Sequence, residues 1–445
     1  MMRTLFGTDG IRAKAREYPL DAATMVALGE ALADRLRVKA ANPKVLLGMD
    51  TRESGPEIAN ALATGLDRRG GRAEFIGVVP TPAAAYLCRV TDAVAAISIS
   101  ASHNPYYDNG VKIFGHDGMK LSDALEEEIE DELLAIRRDD ATATARQLTP
   151  NLPLIARYED FLVSGIERGA LSGRRVVIDV GNGAAFEIGP RVFRRAGAEL
   201  IVMNDKPDGR NINEGCGALH PEGLARRVVA EKADFGVAFD GDADRAIFAD
   251  DAGRIRDGDE IIYLWAQREK RRDRLQGNRV VTTVMSNYGF EKQLAADGVE
   301  LLRAQVGDKY VLEQMMASGA ILGGEQSGHI IDLLLHTTGD GLHTALVLGE
   351  LLASQQLPFS EMPTFIPLPQ ILVNQRVGSK PPLDSLVRYN SDLAEAEGEM
   401  KGRGRILVRY SGTENLVRVM VEGTDRSQIE TVAERLRKTL EEEIG

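Results

Sequence analysis

Val45-Leu-Leu-Gly-Met-Asp50, Val176-Val-Ile-Asp-Val180 and Val280-Val-Thr-Thr-Val284 are the three apolar runs whose reading decides the fold. Each precedes a helical pattern, then a glycine (Gly70-Gly71, Gly197, Gly298), then a second apolar run: Phe75 to Val79, Leu200 to Met203, and Val299 to Leu302. That order is what a βαβ unit requires. Runs so nearly continuous in Val, Ile and Leu suit parallel strands covered by helices on both faces. They predict three similar α/β domains with mixed, mostly parallel sheets.

Outward from these units, Gln355 to Gln370 carries Pro358, Pro363, Pro367 and Pro369, a density that breaks helices and central strands and predicts an extended linker. Beyond it the pattern predicts a strand over Ile371 to Val377, a helix near Leu383 to Ala396, strands over Arg405 to Val408 and Leu416 to Glu422, and a helix over Ser427 to Glu443. This is a small C-terminal α+β domain. The expected division is 1–150, 151–254 and 255–366 for the α/β domains and 367–445 for the last, arranged around a central cleft.

A chain of 445 residues is too long for one core, which agrees with several domains. With 43% hydrophobic and 27% charged residues it falls in the ordinary globular range. A net charge of -13 without a basic tail argues against nucleic acid or an anionic membrane as main partner, so an anionic substrate needs a locally positive pocket. Cys88 and Cys216 have no C-x-x-C spacing, which disfavours a disulfide framework or zinc site and fits a reducing compartment. No signal peptide is read before Asp9, and no apolar run reaches the roughly 18 residues of a membrane span. The expectation is a cytoplasmic protein.

Three loops carry chemistry. Ile97 to Pro105 reads as a strand ending in Ser102-His103-Asn104-Pro105. Ser and Asn in such a turn can simply bond the local backbone. A hydrolase reading lacks a G-x-S-x-G elbow, and adjacent Ser and His side chains are expected to diverge. A serine that carries a phosphoryl group asks mainly for positioning and a nearby cation. Asp240-Gly-Asp242-Ala-Asp244-Arg245, directly after the apolar run Phe235 to Phe239, supplies a site for one. Three carboxylates at i, i+2 and i+4 repel one another unless a cation relieves them. Calcium in an EF-hand would need Gly and Glu where Arg245 and Asp251 stand, so Mg2+ is preferred, with open positions for water or phosphate oxygen. Arg409-Tyr-Ser411-Gly412-Thr413-Glu414-Asn415, with Arg418 beyond it, groups guanidinium, hydroxyl and backbone amides into an oxyanion cradle, though a plain hairpin loop would read the same way.

Two weaker patterns complete the set. Gly323-Gly-Glu325-Gln-Ser327-Gly-His329 offers groups that bond sugar hydroxyls or an amine. Gly181-Asn-Gly183-Ala-Ala-Phe186 nearly matches G-x-G-x-x-G/A but fails at Phe186, which disfavours dinucleotide binding.

Taken in order, Phe6-Gly-Thr-Asp-Gly-Ile-Arg12, Ser100-Ala-Ser-His-Asn-Pro105, Asp240 to Arg245, Gly324 to His329 and Arg409 to Glu414 resemble the α-D-phosphohexomutase superfamily from end to end. Ser102 to Gly110, Gly324 to His329 and Arg418 to Gly423 are most similar to its branch acting on glucosamine phosphates. The resemblance implies four domains around a deep cleft. It implies interconversion of glucosamine 6-phosphate and glucosamine 1-phosphate through a phosphoserine at Ser102 and a 1,6-bisphosphate, on the route to UDP-N-acetylglucosamine. By the same resemblance Asp240, Asp242 and Asp244 bind Mg2+ with the Ser102 phosphate. Lys112 and Arg245 are acid-base and charge-stabilising groups, and His103 and His329 assist by hydrogen bonding. Glu325 and Ser327 contact the sugar. Arg409, Ser411, Gly412, Thr413 and Arg418 hold the unreacting phosphate, and Thr8 and Arg12 line the entrance. It leaves a homodimer open.

The chain departs from the family pattern at Ala13, Ala243 and Asn415; Ala243 matters if its backbone needs φ > 0. The competing readings are a mutase for neutral hexose phosphates, a magnesium-dependent phosphatase and a non-catalytic binding module.

Overall fold

In the computed structural model the described residues are 5–7, 9–38, 40–136, 143, 147–355, 357–411 and 415–445. The chain forms two compact units, Met1–Thr283 with Leu302–Pro363, and Val284–Leu301 with Thr364–Gly445.

The first unit holds the parallel cores the apolar runs predict. Strand Lys44–Met49 pairs in parallel with Arg72–Val78 on one side and Ala95–Ile99 on the other. From Ala95–Ile99 the pairing turns antiparallel through Asp108–Gly115 and Gly10–Lys14 to Phe6–Gly7. Arg175–Asp179 likewise pairs in parallel with Glu199–Met203 and Phe235–Phe239, and the sheet continues antiparallel through Ala246–Asp250 to Ile255–Arg256. Arg279–Thr283 pairs in parallel with Leu322–Gly324, which pairs antiparallel with Ile330–Asp332. The sheets are therefore mixed, each with a parallel centre and an antiparallel side. Val45, Leu47, Ile97 and Ile99 are fully buried, each contributing roughly 1.5–3 kcal/mol by leaving water. Helices Ala22–Leu36 and Gly55–Arg68 pack against this core, the first started by Asp21, whose side chain accepts from the Thr24 amide.

The topology sets up a site. Asp50 to Arg52, Ser100 to Asp108, Asp240 to Arg245 and Glu325 to His329 all follow the carboxyl ends of parallel-paired strands. That is where open α/β sheets place their ligands.

The second unit is an antiparallel sheet with Leu416–Gly423 between Gln370–Arg376 and Gly404–Tyr410, covered by helices Val387–Met400 and Arg426–Ile444. Val417, Val419, Val421, Val432, Leu436 and Leu440 form its core. The first of these helices begins later than its periodicity suggests, because Leu383–Ser385 is a separate 3-10 turn and Leu386 is extended. Helix Tyr288–Ala296 also belongs to this unit. Phe290 packs on Phe365, and Asn287 exchanges hydrogen bonds with the Leu368 backbone.

Candidate active site

Ser102 sits just past strand Ala95–Ile99, 1% exposed, with φ of +51°. A serine in the left-handed region is strained and persists only where its surroundings over-determine it. Here they do. The Ser102 amide donates to Ser100 Oγ at 2.9 Å, and its carbonyl accepts from Arg52 Nη2 at 3.0 Å and Asn213 Nδ2 at 2.9 Å. Arg52, fully buried, also donates to the carbonyls of Asn104, Pro105 and Asp108. Its Nε is held 2.9 Å from Asp50, which in turn accepts from Ser100 Oγ at 2.6 Å. One guanidinium therefore stitches the whole turn. The backward bend brings Ser102 Oγ to 3.3 Å from His103 Nδ1, so the neighbouring side chains converge, contrary to the sequence expectation.

Ser102 Oγ donates to Asp240 Oδ2 at 2.6 Å. This contact crosses from the first sheet to the loop after Phe235–Phe239, and it requires close backbone approach. A Cβ on Gly241 would stand 2.5 Å from the Ser102 carbonyl oxygen. Gly183 has the same duty behind the loop, where a Cβ would stand 2.5 Å from the Gly241 carbonyl oxygen. The glycine pattern at 181 to 186 thus serves the acidic loop. Ala243 lies between the second and third aspartates with φ of +53°, so the family's glycine position does need the left-handed region.

Asp240, Asp242 and Asp244 are all buried, with carboxylate oxygens within 4.8 Å of one another. Asp242 Oδ2 accepts from Thr81 Oγ1 at 2.7 Å and Lys112 Nζ at 3.0 Å. Asp242 Oδ1 and Asp244 Oδ1 have no hydrogen-bond partner among the described residues. Burial, then Asp244 and Asp242, push the Asp240 carboxyl well above its ordinary range. Asp244 goes the other way: burial opposes its charge, but Lys112 and His329 hold it well below the ordinary range. Unsatisfied hard oxygen donors with an excess of negative charge fit a hard divalent cation.

The cations around the triad are fixed by pairing. Lys112 Nζ lies 3.0 Å from Asp242, 3.2 Å from Asp9 and 3.3 Å from Asp244. Burial alone would lower its pKa, yet Asp242, Asp9 and Asp244 raise it well above the ordinary lysine value. Arg245 Nη1 donates to His103 Nδ1 at 3.2 Å. Burial, Arg245 and Arg12 push His103 down to about 4, so the ring is neutral at pH 7 and free to accept. His329, buried, is raised by Asp244, Asp308 and Glu325 against the cost of burial. The Gly339 amide donates to its Nε2 at 3.1 Å, which leaves Nδ1 to carry the proton toward Asp244, 3.6 Å away.

A cavity of about 380 Å3 opens beside these groups, lined by Arg12, Asp244, Arg245, Glu325 and His329, together with Asp9 and Gly307. It unites residues from three distant stretches of the sequence. Glu325 accepts from the Gly307 amide at 3.2 Å. Ser327 is exposed and does not line this cavity. Thr8, Gly412 and Thr413 lie outside the described residues. In the second unit, Arg409 and Arg418 stand opposite one another on paired strands, and Arg418 helps depress Arg409 after burial. Ser411 is buried, and its carbonyl accepts from Lys380 Nζ at 2.8 Å. Two guanidiniums side by side repel unless an anion lies between them.

Sequence reasoning missed Asp50, Arg52, Thr81 and Asn213, which hold the serine and acidic loops, and Asp9, Lys120 and Asp308. Asp50-x-Arg52 at the end of an apolar strand was a readable signal. Lys120, which bridges Asp9 and Asp308, had none, since these partners are 111 and 188 residues away.

Residues 3–140, 156–253, 257–366 and 372–439 match, in turn, alpha/beta/alpha domains I, II and III and the C-terminal domain of the phosphoglucomutase/phosphomannomutase family. The chain is 46% identical over 446 residues to the phosphoglucosamine mutase of Solibacter usitatus, covering 100% of both chains. It is 43% identical to that of Bdellovibrio bacteriovorus, covering 99% of each. Among solved structures it resembles a phosphoglucomutase/phosphomannomutase family protein from Burkholderia thailandensis, with a TM-score of 0.79, 23% identity and coverage of 99% and 98%. It also resembles Aspergillus fumigatus N-acetylphosphoglucosamine mutase in complex with GlcNAc-6P and magnesium, with a TM-score of 0.62, 18% identity and coverage of 99% and 96%. The structural likenesses establish the fold, and the full-length identities establish the family: this chain belongs to the phosphoglucosamine mutase family of the α-D-phosphohexomutases.

Proposed function

We propose that this chain interconverts glucosamine 6-phosphate and glucosamine 1-phosphate, in the supply of UDP-N-acetylglucosamine. The observation that carries this reading is the buried Ser102 hydroxyl, 2.6 Å from Asp240 in a triad with unsatisfied oxygens. In the first step the bond between Ser102 Oγ and phosphorus breaks, a bond forms from the free sugar hydroxyl to that phosphorus, and the hydroxyl's proton ends on Ser102 Oγ, giving glucosamine 1,6-bisphosphate. After the bisphosphate reverses its orientation, the other phosphoryl group returns to Ser102 and leaves the isomeric monophosphate. Little covalent help is needed in such transfers beyond alignment and charge neutralisation.

Each residue has a place in that scheme. Arg52 and Asn213 hold the Ser102 backbone so that Oγ points at the acidic loop. Asp240, Asp242 and Asp244, with the phosphate on Ser102, would hold Mg2+, which offsets negative charge on the phosphoryl oxygens. Lys112 and Arg245 add fixed positive charge, and Lys112, held as a cation, is placed to act as an acid rather than a base. His103 receives a hydrogen bond from Arg245 and so orients it. Glu325 and His329 meet the sugar. Arg12 lines the cavity, and by its motif Thr8 would bind substrate beside it. Arg409, Ser411, Gly412, Thr413 and Arg418 capture the phosphate that is not reacting. The same proposal covers the domain division at 1–150, 151–254, 255–366 and 367–445.

Buried, unpaired Cys88 and Cys216 support a reducing cytoplasm. No helix among the described residues is long and apolar enough to cross a membrane.

Side-by-side kcat/KM values for glucosamine, glucose and mannose phosphates test the substrate, and preference for a neutral sugar overturns it. Release of inorganic phosphate without isomer would instead mark a phosphatase. Intact mass and peptide mapping should find phosphate on Ser102 in active protein.

A further inference from the structure

Three consecutive residues, Gly339, Asp340 and Gly341, suspend two parts of the site from one piece of backbone. The Gly339 amide donates to His329 Nε2 at 3.1 Å, and the Gly341 amide donates to the Ala243 carbonyl at 3.0 Å. Ala243 lies between Asp242 and Asp244. Both sides of the 3.6 Å approach between His329 Nδ1 and Asp244 are therefore set from this segment. Its packing leaves no room for side chains on the flanking residues. A Cβ on Gly339 would stand 2.6 Å from His329 Nε2, and one on Gly341 would stand 2.6 Å from the Arg245 carbonyl oxygen. Of the three, Asp340 alone has a side chain with which to hold the segment.

That side chain is 1% exposed and does not line the cavity beside Ser102. Its Oδ1 accepts from the His343 amide at 3.0 Å, which starts helix Gly341–Ala353, and its Oδ2 accepts from the Tyr158 hydroxyl at 2.8 Å. Tyr158 is fully buried on helix Leu152–Ser164, 182 residues away in the chain. A serine would start the helix equally well. Only a side chain with a second acceptor also takes the tyrosine, and burying a carboxylate among neutral donors is costly. His336, 4.0 Å from Oδ2, does not offset that cost, because it gives its Nε2 proton to the Pro82 carbonyl. What the arrangement yields is a fixed Gly339 amide. In a histidine the partner of one ring nitrogen decides what the other nitrogen carries.

We propose that Asp340, tied to Tyr158, is a positioning residue for the phosphoryl transfer: it fixes the Gly339 amide, which keeps His329 Nε2 as an acceptor and turns Nδ1–H toward Asp244. This rests on the mutase reading of the same site. Asp340 touches neither the substrate nor the reacting atoms. Without it the His329 ring is free to turn over, and part of the population presents an acceptor to Asp244 where the intact site presents a donor.

The full-length protein is assayed with whichever hexosamine or hexose phosphate the wild type isomerises fastest, so that the test does not depend on the sugar assignment. Values of kcat and KM and urea unfolding midpoints are compared for Asp340→Ala, Asp340→Asn and Tyr158→Phe, and for His329→Ala with and without Tyr158→Phe. Asp340→Ala should lower kcat by about 100-fold, as misplacement of a catalytic group by about 1 Å does, with KM nearly unchanged. Tyr158→Phe should lower kcat about tenfold, the size of one lost hydrogen bond. Asp340→Asn keeps an acceptor for the His343 amide and a polar partner for Tyr158, so its kcat should stay within about threefold of wild type. In the His329→Ala background Tyr158→Phe should cost less than about twofold more, because the ring it orients is gone. If Asp340→Ala fails to fold, Tyr158→Phe decides, since it removes one hydroxyl and leaves the ring in place. A lower unfolding midpoint with wild-type kcat, or the same loss from Tyr158→Phe with and without His329, makes the pair structural only and overturns the proposal. Wild-type protein that isomerises no sugar phosphate overturns the mutase reading and this one with it, whereas normal wild-type turnover beside unchanged variants overturns this one alone.

Discussion

The two regions that would handle the substrate's phosphates manage charge in opposite ways. Around Ser102 the nearest charges are buried and paired: Lys112 lies among three carboxylates and Arg52 spans a whole turn. In the second unit Arg409 and Arg418 are only half-buried, and they face one another across a hairpin. A reacting phosphoryl group gains from fixed dipoles in a dry site, where electrostatic terms are strong and nothing reorganises during transfer. A spectator phosphate needs only to be caught and released, and it must be caught from either end of the sugar. Half-buried cations do that at lower cost in desolvation.

The sharpest way to break this contrast is at the buried end. Ser102→Ala should lower kcat on the order of 10^4-fold or more while the far-ultraviolet dichroism is unchanged; retained isomerisation would remove the phosphoserine from the scheme. Next comes Arg52→Met. It strands Asp50 and four carbonyls, so a loss of about 3–5 kcal/mol in denaturant unfolding is expected, with lower kcat in the folded fraction. A normal unfolding midpoint would show that the turn holds itself.

Acid should also act on the first unit. His336 is buried, donates from Nε2 to the Pro82 carbonyl at 3.0 Å and accepts at Nδ1 from the Thr337 amide at 2.9 Å, so both nitrogens are committed to the neutral ring. Burial, with His343 and Arg89, lowers it to about 3. The folded value is depressed below the unfolded one of about 6.5. Its stabilising contribution is therefore complete above pH 6.5 and is lost as pH falls from there toward 3, by up to about 1.4 kcal/mol per pH unit. Urea midpoints between pH 7 and 4.5 should fall more steeply in wild type than in His336→Gln; equal slopes would rule His336 out.

At the half-buried end, Arg409→Gln should raise KM about tenfold with a smaller change in kcat, because it removes one charge-assisted contact made in ground and transition states alike. An effect confined to kcat would mean the two regions are not so different. Smallest is Ala243→Gly, which relieves a methyl group at positive φ and should raise stability by no more than about 1 kcal/mol in thermal unfolding. A loss would show that the methyl group packs usefully.

Much of this was legible in the chain because it is local. The parallel cores follow from runs such as Val176 to Val180, the acidic loop from carboxylates at alternate positions, and the family from five motifs in order. Ala243 could be flagged as a position of special backbone because a glycine is expected there. Arg52 was less legible. An arginine at a strand end has many uses, and its four carbonyl acceptors lie 50 to 56 residues further on. Ser102 was misjudged in one respect, since extended-chain reasoning sends neighbouring Ser and His side chains apart, whereas a left-handed serine brings them together.

By itself the sequence determined which residue types this protein brings to its chemistry: a serine, three aspartates, a lysine and paired arginines, on strands and turns whose periodicity is encoded within a few residues. Only the tertiary structure decided their charge states and partners. Lys112 is held as a cation, Asp240 and Asp244 are pushed in opposite directions, and His329 turns one nitrogen to Gly339 and the other to Asp244. The physical reason is that burial and Coulomb interactions depend on distances through space, and residues such as Lys112 and Asp242 meet only when separate sheets are packed together.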